Sequence, residues 1–252
     1  MSCPHNNKIG IGLHASCADC SLNALCLPIA VEMNDIDYLD SVIKRGRPLR
    51  RNDHIFEANQ PFHSLYVVRT GAIKTYMLTD QGDEQITGFY LPGELFGFDG
   101  MSGKHANGAK SLESTSICEV PFENIKEVSE KLPGLQPHLF KLMGQEIVED
   151  QHMMYLLAQK PAEMRITSFL LNLSSRYARR KLSPTRFRLP MARTDIANYL
   201  GLAVETVSRI FTRLQTQHYI AVDGKEIEIF DINALLALSQ DQDTAVVKNI
   251  AG

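Results

Sequence analysis

Arg193-Thr194-Asp195-Ile196-Ala197-Asn198-Tyr199-Leu200-Gly201-Leu202-Ala203-Val204-Glu205-Thr206-Val207-Ser208-Arg209 is the stretch from which the rest of the chain can be read. Ile196, Tyr199 and Leu200 fall on the inner face of a short helix, and Gly201-Leu202 makes a turn. A second helix follows with Val204, Val207, Phe211 and Leu214 on one face. Glu205, Ser208 and Arg209, at i, i+3 and i+4, share another face near its N-terminal end. Two short helices joined in this way form a helix-turn-helix, and the start of the second helix is where such a motif meets base edges. Arg can bond bidentately to guanine, Glu can accept from cytosine N4, and Ser can donate or accept, so the trio can read a G·C pair and its neighbours. Taken alone, Glu205 and Arg209 would also suit a plain exposed ion pair. Tyr219 to Ile229, with Asp223-Gly224 at its centre, reads as a hairpin wing beside the motif.

Towards the N-terminus, a long helical stretch runs from beyond Pro133 to Gln159. In it Phe140, Met143, Ile147, Asp150, Met154 and Leu157 follow at alternating spacings of three and four, the seam of a two-stranded coiled coil. The spacing predicts a homodimer interface, against the plainer alternative of a helix packed on its own domain. Asp150 would face its own copy in a symmetric pair, and two carboxylates pressed together with little water oppose association by on the order of a few kcal/mol. Such a seam sits near the midpoint between monomer and dimer, where a modest signal tips it. Earlier still, Leu49 to about Phe122 carries short runs rich in Val, Ile, Tyr and Phe, punctuated by Thr70-Gly71, Gln81-Gly82-Asp83 and Pro92-Gly93. These predict antiparallel strands of a small barrel or roll. Glu32 to Lys44 predicts a short helix with Ile36, Leu39 and Ile43 inward.

The N-terminal arm holds Cys17, Cys20 and Cys26, with Cys118 distant and Cys3 left over. No secretory signal or apolar run of membrane-spanning length is present, which predicts a cytoplasmic protein with reduced thiols. The clustered cysteines then read as metal or cluster ligands. Four thiolates suit a structural zinc ion and an iron–sulfur cluster alike. Cys3, His5 and His14 read as solvated side chains near the arm.

With 252 residues, 44% hydrophobic and 22% charged, the chain has the composition of a globular protein with two cores. Its formal net charge of -3 conceals an asymmetry: residues 161–231 carry eleven Lys and Arg against seven acids, which leaves -7 for the remainder. A basic module on an acidic body suits contact with phosphate. No Gly-x-Ser-x-Gly elbow, His-Glu-x-x-His helix or organised carboxylate pair suggests an enzyme. Gly103-Lys104 is followed by His105, and position 98 is Phe98, so no phosphate-binding Walker loop is formed.

Several segments together resemble the cyclic AMP receptor and FNR (fumarate and nitrate reduction) family of bacterial transcription regulators, and closely its FNR branch over nearly the full length. They are Cys17-Ala18-Asp19-Cys20-Ser21 through Cys26, Gln81-Gly82-Asp83-Glu84-Gln85-Ile86-Thr87-Gly88-Phe89, Cys118 before Glu119-Val120-Pro121-Phe122, and Gly201 through Arg209. The resemblance implies an α+β chain. Its parts would be a cysteine-rich cluster-binding arm (1–30), a β-roll of the cyclic-nucleotide-binding-domain type (31–132), a dimerisation helix (133–160) and a winged helix-turn-helix DNA-binding domain (161–252).

The resemblance also implies a mechanism. Cys17, Cys20, Cys26 and Cys118 would hold a 4Fe-4S cluster that orders the arm and promotes homodimerisation. Oxygen would convert the cluster to a 2Fe-2S form, and the dimer would separate into monomers that bind DNA poorly. Asp150 takes the charged position of the seam, with Ile147 as its shielding neighbour, while Ser21 and Leu25 tune access of oxygen. Glu205, Ser208 and Arg209 imply a two-fold double-stranded DNA site with TTGAT-like half-sites about one helical turn, roughly 34 Å, apart. Thr79, Asp80, Gly82 and Asp83, with Gln81, imply a loop that touches RNA polymerase, where a plain hairpin turn fits the residues equally. The nucleotide-binding relatives follow their Gly-Glu-Leu turn with an Arg-Ser clamp. Gly93-Glu94-Leu95 is here, but the later stretch reads His105-Ala106-Asn107-Gly108-Ala109-Lys110, so cyclic nucleotide control is not expected. Ala203 stands where the family often has a Thr cap, which forgoes about 1 kcal/mol at the start of the recognition helix. The alternative reading keeps this fold but gives it a small-molecule signal and a structural zinc site.

Overall fold

The computed structural model describes residues 16–239, the side chains of 124–126 and 129 excepted; Cys3, His5 and His14 lie outside it. After the arm, whose last turn is a 3-10 helix over Leu27–Ala30, helix α1 (Ile36–Val42) buries Ile36 and Leu39, with Ile43 just beyond its end. It is shorter than the expected Glu32–Lys44 because a 3-10 turn precedes it and the chain is already extended at Ile43. Eight strands then build the roll: β1 (Lys44–Arg45), β2 (His54–Phe56), β3 (Ser64–Thr70), β4 (Ile73–Leu78), β5 (Glu84–Tyr90), β6 (Leu95–Phe96), β7 (Gly108–Ser111) and β8 (Ser116–Pro121). They pair antiparallel in two sheets of order β1-β8-β3-β6 and β2-β7-β4-β5.

Aromatic side chains fill the interior of the roll. Phe56, Tyr66 and Phe96 stack at centroid separations of 5.5 to 6.2 Å, and buried His105 lies flat on Phe56 at 3.7 Å. A second core covers one outer face, where Leu65, Val67 and Val120 meet Leu27, Leu39, Val128, Leu135 and Leu139. Three of those residues, Val128, Leu135 and Leu139, come from helices that follow the roll, α2 (Phe122–Lys131) and α3 (Leu135–Gln159). Helix α2, unanticipated in the sequence reading, begins directly after Pro121, which can precede but not extend a helix.

Twenty-five residues make α3 about 37 Å long at about 1.5 Å per residue. It buries Leu135 and Leu139 at one end and Leu156 near the other, and its middle turns are left uncovered. The C-terminal unit consists of α4 (Ala162–Arg179), β9 (Arg186–Arg188), α5 (Arg193–Leu200), α6 (Val204–Thr216), β10 (Ile220–Asp223), β11 (Glu226–Ile229) and α7 (Ile232–Ser239). Val207, Ile210, Phe211 and Leu214 place the buried stripe of α6 against Ile166, Phe169, Leu170 and Leu173 of α4. The wing hairpin gains a third strand, β9, on its β11 side, which sequence periodicity over three residues could not disclose. The core of this unit is continuous with Ala72, Ile86, Phe89, Leu91 and Leu112 of the roll, so the head is docked on the body.

Candidate cysteine pocket and DNA-reading face

Backbone turns set the path of the arm. Asn23 N–H donates to Cys20 O at 3.0 Å, Cys26 N–H to Leu22 O at 3.0 Å and Ile29 N–H to Cys26 O at 3.1 Å, so three cysteines are presented within ten residues. Cys118 comes from mid-β8, with Arg45 of β1 on one side and Val67 of β3 on the other. All four are free thiols, and they line one cavity together with Leu22, Pro28, Ile43, Val67, Val68 and the cations Arg45 and Arg69. Asp40 Oδ1 accepts the Cys17 N–H at 2.7 Å, while Arg45 Nη2 donates to Asp40 Oδ1 at 2.5 Å and to Cys17 Sγ at 3.2 Å. Burial pushes the thiols of Cys17 and Cys26 up to about 12, the first aided by its bond to Asp40, and it raises Cys118 as well.

Without a positive centre these sulfurs hold their protons, and an ion or cluster that binds must displace them. The donor set is all sulfur, of the type that takes zinc or iron–sulfur clusters. Among the described residues, no three His, Cys, Asp or Glu side chains converge as they would around one ion.

In the head, Gly201 ends α5 in the left-handed region (φ +62°), and Leu202 N–H returns to Ala197 O at 2.9 Å. That closed turn aims α6 outward. Glu205, Ser208 and Arg209 are all exposed, with Arg209 Nη2 on Thr206 Oγ1 at 3.2 Å and Ser208 Oγ on Val204 O at 2.9 Å. Ala203, as the sequence indicates, offers α6 no side-chain cap. On α3, Phe140 (61% exposed), Ile147 (56%) and Met154 (62%) stand in the open with Asp150, while Met143 and Leu157 are half-buried. Three of the five apolar side chains of the stripe are thus left open by the chain's own packing, and two are partly covered. Thr79, Asp80, Gln81, Gly82 and Asp83 form an exposed tip closed by Gly82 N–H to Thr79 O and Asp83 N–H to Thr79 Oγ1, beside exposed Met77 and Leu78.

Lys110 and Glu94, where a nucleotide-binding relative would grip its ligand, are engaged elsewhere. Lys110 bonds Glu84 and lies over the Tyr76 ring, and Glu94 is held by Arg176 and Arg180.

Sequence comparison places this architecture. The Crp-like helix-turn-helix domain profile matches residues 164–238, and the cyclic nucleotide-binding domain profile matches residues 46–131. The chain is 51% identical over 229 residues to the transcriptional activator protein anr of Pseudomonas aeruginosa, covering 90% of this chain and 94% of that one. It belongs to the FNR branch of the cyclic AMP receptor protein/FNR family. The fumarate and nitrate reduction regulatory protein of Escherichia coli K12 is 46% identical over 231 residues, covering 91% of this chain and 92% of that protein. Among solved structures, FixK2 from Bradyrhizobium japonicum superposes with a TM-score of 0.73 at 29% identity, covering 79% of this chain and 98% of its own. This FNR-branch chain is accordingly a DNA-binding transcription regulator and not an enzyme. No helix among the described residues is long and apolar enough to cross a membrane.

The structure gathers Cys17, Cys20, Cys26 and Cys118 of this FNR-branch chain at one cavity and leaves Glu205, Ser208 and Arg209 exposed on α6. It also reveals residues that sequence reasoning passed over. Asn198, on the first helix of the motif, grips the edge of β5: its Oδ1 accepts from Ile86 N–H at 2.6 Å and its Nδ2 donates to Glu84 O at 2.7 Å. Lys74 bridges Asp195 at 3.0 Å and Glu84 at 3.2 Å. Partners more than a hundred residues apart leave no local signal in a sequence.

Proposed function

We propose that this chain is an oxygen-responsive regulator in which a 4Fe-4S cluster on Cys17, Cys20, Cys26 and Cys118 promotes homodimerisation along α3 and binding to palindromic TTGAT-like sites. The observation that carries the reading is that four buried or half-buried thiols, three from the arm and one from β8, line one cavity of a DNA-binding protein. When bound, the cluster supplies the reaction with oxygen and the cross-link between arm and body. The chain supplies the rest. Cys17 is held by Asp40 at its N–H and by Arg45 at its sulfur, and hydrogen bonds to a ligand residue orient it and tune its charge.

Along α3, Phe140, Met143, Ile147, Met154 and Leu157 provide the apolar seam, and Asp150 weakens it. Asp150 is exposed, but partial loss of water around its carboxyl raises it above its ordinary value already in the single chain, and a facing copy would add like charge. The dimer sets two α6 helices one DNA turn apart, with Glu205, Ser208 and Arg209 towards the bases. Thr79, Asp80, Gly82 and Asp83 are the surface offered to RNA polymerase. The aromatic filling of the roll and the engagement of Lys110 speak against a cyclic nucleotide as the signal.

The test is an absorption spectrum of anaerobically purified protein with iron and sulfide assays, followed by air while size-exclusion chromatography tracks the oligomer. About four irons and four sulfides per chain, with a visible band that decays as dimer becomes monomer, are expected. Zinc without sulfide, and a dimer indifferent to air, would refute the cluster reading and favour a structural zinc site under a different signal.

A further inference from the structure

Between the ligand positions Cys20 and Cys26, the arm lies on a single turn of the roll. Leu22 and Leu25 cover Gly93 so closely that a Cβ there would stand 3.3 Å from Leu25 Cβ and 3.8 Å from Leu22 Cδ2. Gly93 also takes φ +89°, a conformation glycine adopts without strain. The same turn is tied to the strand beside the fourth cysteine. Gly93 N–H donates to Val68 O at 2.8 Å and Val68 N–H to Glu94 O at 3.0 Å, while Val67 is the direct cross-strand partner of Cys118. Both halves of the cysteine pocket thus bear on Gly93-Glu94.

Glu94 is the point at which the DNA-binding head is fastened. Its carboxylate accepts from Arg176 Nε at 2.9 Å, from Arg176 Nη2, and from Arg180 Nη2 at 2.6 Å, and it also receives Leu91 N–H at 2.8 Å. The two guanidinium groups have a second grip on the roll: Arg176 Nη2 donates to Phe89 O in β5 and Arg180 Nε to Pro92 O of the turn, each at 2.6 Å. Arg176 is buried on α4 and Arg180 caps that helix. Forked, charge-assisted bonds from two arginines to one carboxylate fix position and angle together. A buried ionic group of this kind contributes little net stability over an apolar contact, and its best-attested use is to specify one arrangement.

From this geometry we infer that Glu94, Arg176 and Arg180 are positioning residues for DNA binding: they hold the head at one angle on the roll, directly beneath the arm. The arm then governs orientation of the head as well as dimerisation. The inference rests on the cluster reading for the identity of the signal, but the clamp itself is a property of the chain. With the head docked, the α6 reading face is outward and free, so the clamped arrangement is the one that binds. A dimer whose heads wander loses the half-site spacing that two-fold recognition requires.

Glu94→Gln keeps the shape and removes the charge, and Arg180→Lys keeps the charge and removes the fork. Hydrogen exchange of residues 162–200 is measured for wild type and both variants, anaerobically and after air. Affinity for a duplex with two TTGAT-like half-sites, iron and sulfide content, and sedimentation are measured alongside. In both variants we expect unchanged iron, sulfide and dimer content without air, DNA binding at least tenfold weaker, and exchange across α4 at least tenfold faster. Air should raise wild-type exchange towards the variants' level and leave the variants nearly unchanged, a loss of response that mere destabilisation would not produce. Wild-type exchange and affinity in both variants would overturn the inference. So would fast exchange that still responds fully to air, or loss of cluster from both. A wild type without iron and sulfide would sink the cluster reading alone, since the clamp is still read from exchange of the variants against wild type.

Discussion

Replacing Glu146 with glutamine should stabilise the metal-free protein at pH 8 and have little effect at pH 5. Glu146 lies in the middle of α3 and accepts the Tyr90 hydroxyl at 2.8 Å. Burial is the main cause that lifts its carboxyl from 4.5 to about 7; the Tyr90 bond opposes the rise, and Asp150, Asp99 and Glu149 add to it. Glu94, Arg176, Arg179 and Arg180 line the same cavity from the turn and from the head. A carboxyl raised in the folded state contributes stability that is fully present below the unfolded value of 4.5 and lost as pH rises through about 7. At about 1.36 kcal/mol per pKa unit, the loss is about 3 kcal/mol by pH 8. Glutamine keeps the neutral form at every pH, and its Oε1 can still accept from Tyr90. Urea unfolding of reduced, metal-free protein at both pH values measures the effect. The expected gain is below about 1 kcal/mol at pH 5 and about 3 kcal/mol at pH 8. An equal difference at both values, or a variant less stable than wild type at pH 8, would refute the reasoning that burial and neighbouring acids hold this proton.

Asp150→Ala removes the one acid of the seam and should give a dimer without cluster that binds DNA in air; a monomeric variant in sedimentation under air counts against it. Arg209→Ala should erase discrimination at the G·C pair, a loss of about 1–3 kcal/mol, and unchanged discrimination between a site and its G·C variant would exclude direct readout by Arg209. Ala203→Ser supplies the side-chain cap that α6 lacks and should stabilise the head by about 1 kcal/mol, visible as a higher unfolding temperature. An unchanged or lower temperature would show that the Ala203 backbone cannot present the hydroxyl.

Much of the local architecture is legible in the residues. The 3.6-residue period of Val207, Phe211 and Leu214, and the turn at Gly201, suffice for the helix-turn-helix, although Ile210, which completes the buried stripe, was passed over. The seam from Phe140 to Leu157 is legible as a pattern, and in the fold Phe140, Ile147 and Met154 of it are exposed. Lys110 shows where local reading runs short. The sequence offers it only as a lysine where an Arg-Ser clamp is missing, and the fold alone shows that it is taken up by Glu84 and the Tyr76 ring. Helix α2 and strand β9 escaped because a ten-residue helix after a proline and a three-residue strand carry little periodic signal.

By itself the sequence determined the types of the longer elements, the turn positions and the outward residues of α6, because periodicity and turn chemistry act over a few residues. Only the tertiary structure decided that Cys118 stands between Arg45 and Val67, that Asn198 grips β5, and that Glu94 receives Arg176 and Arg180 beneath the arm. Those outcomes depend on which strands pair and which charges lose water together. Pairing and desolvation are settled by the whole chain closing on itself.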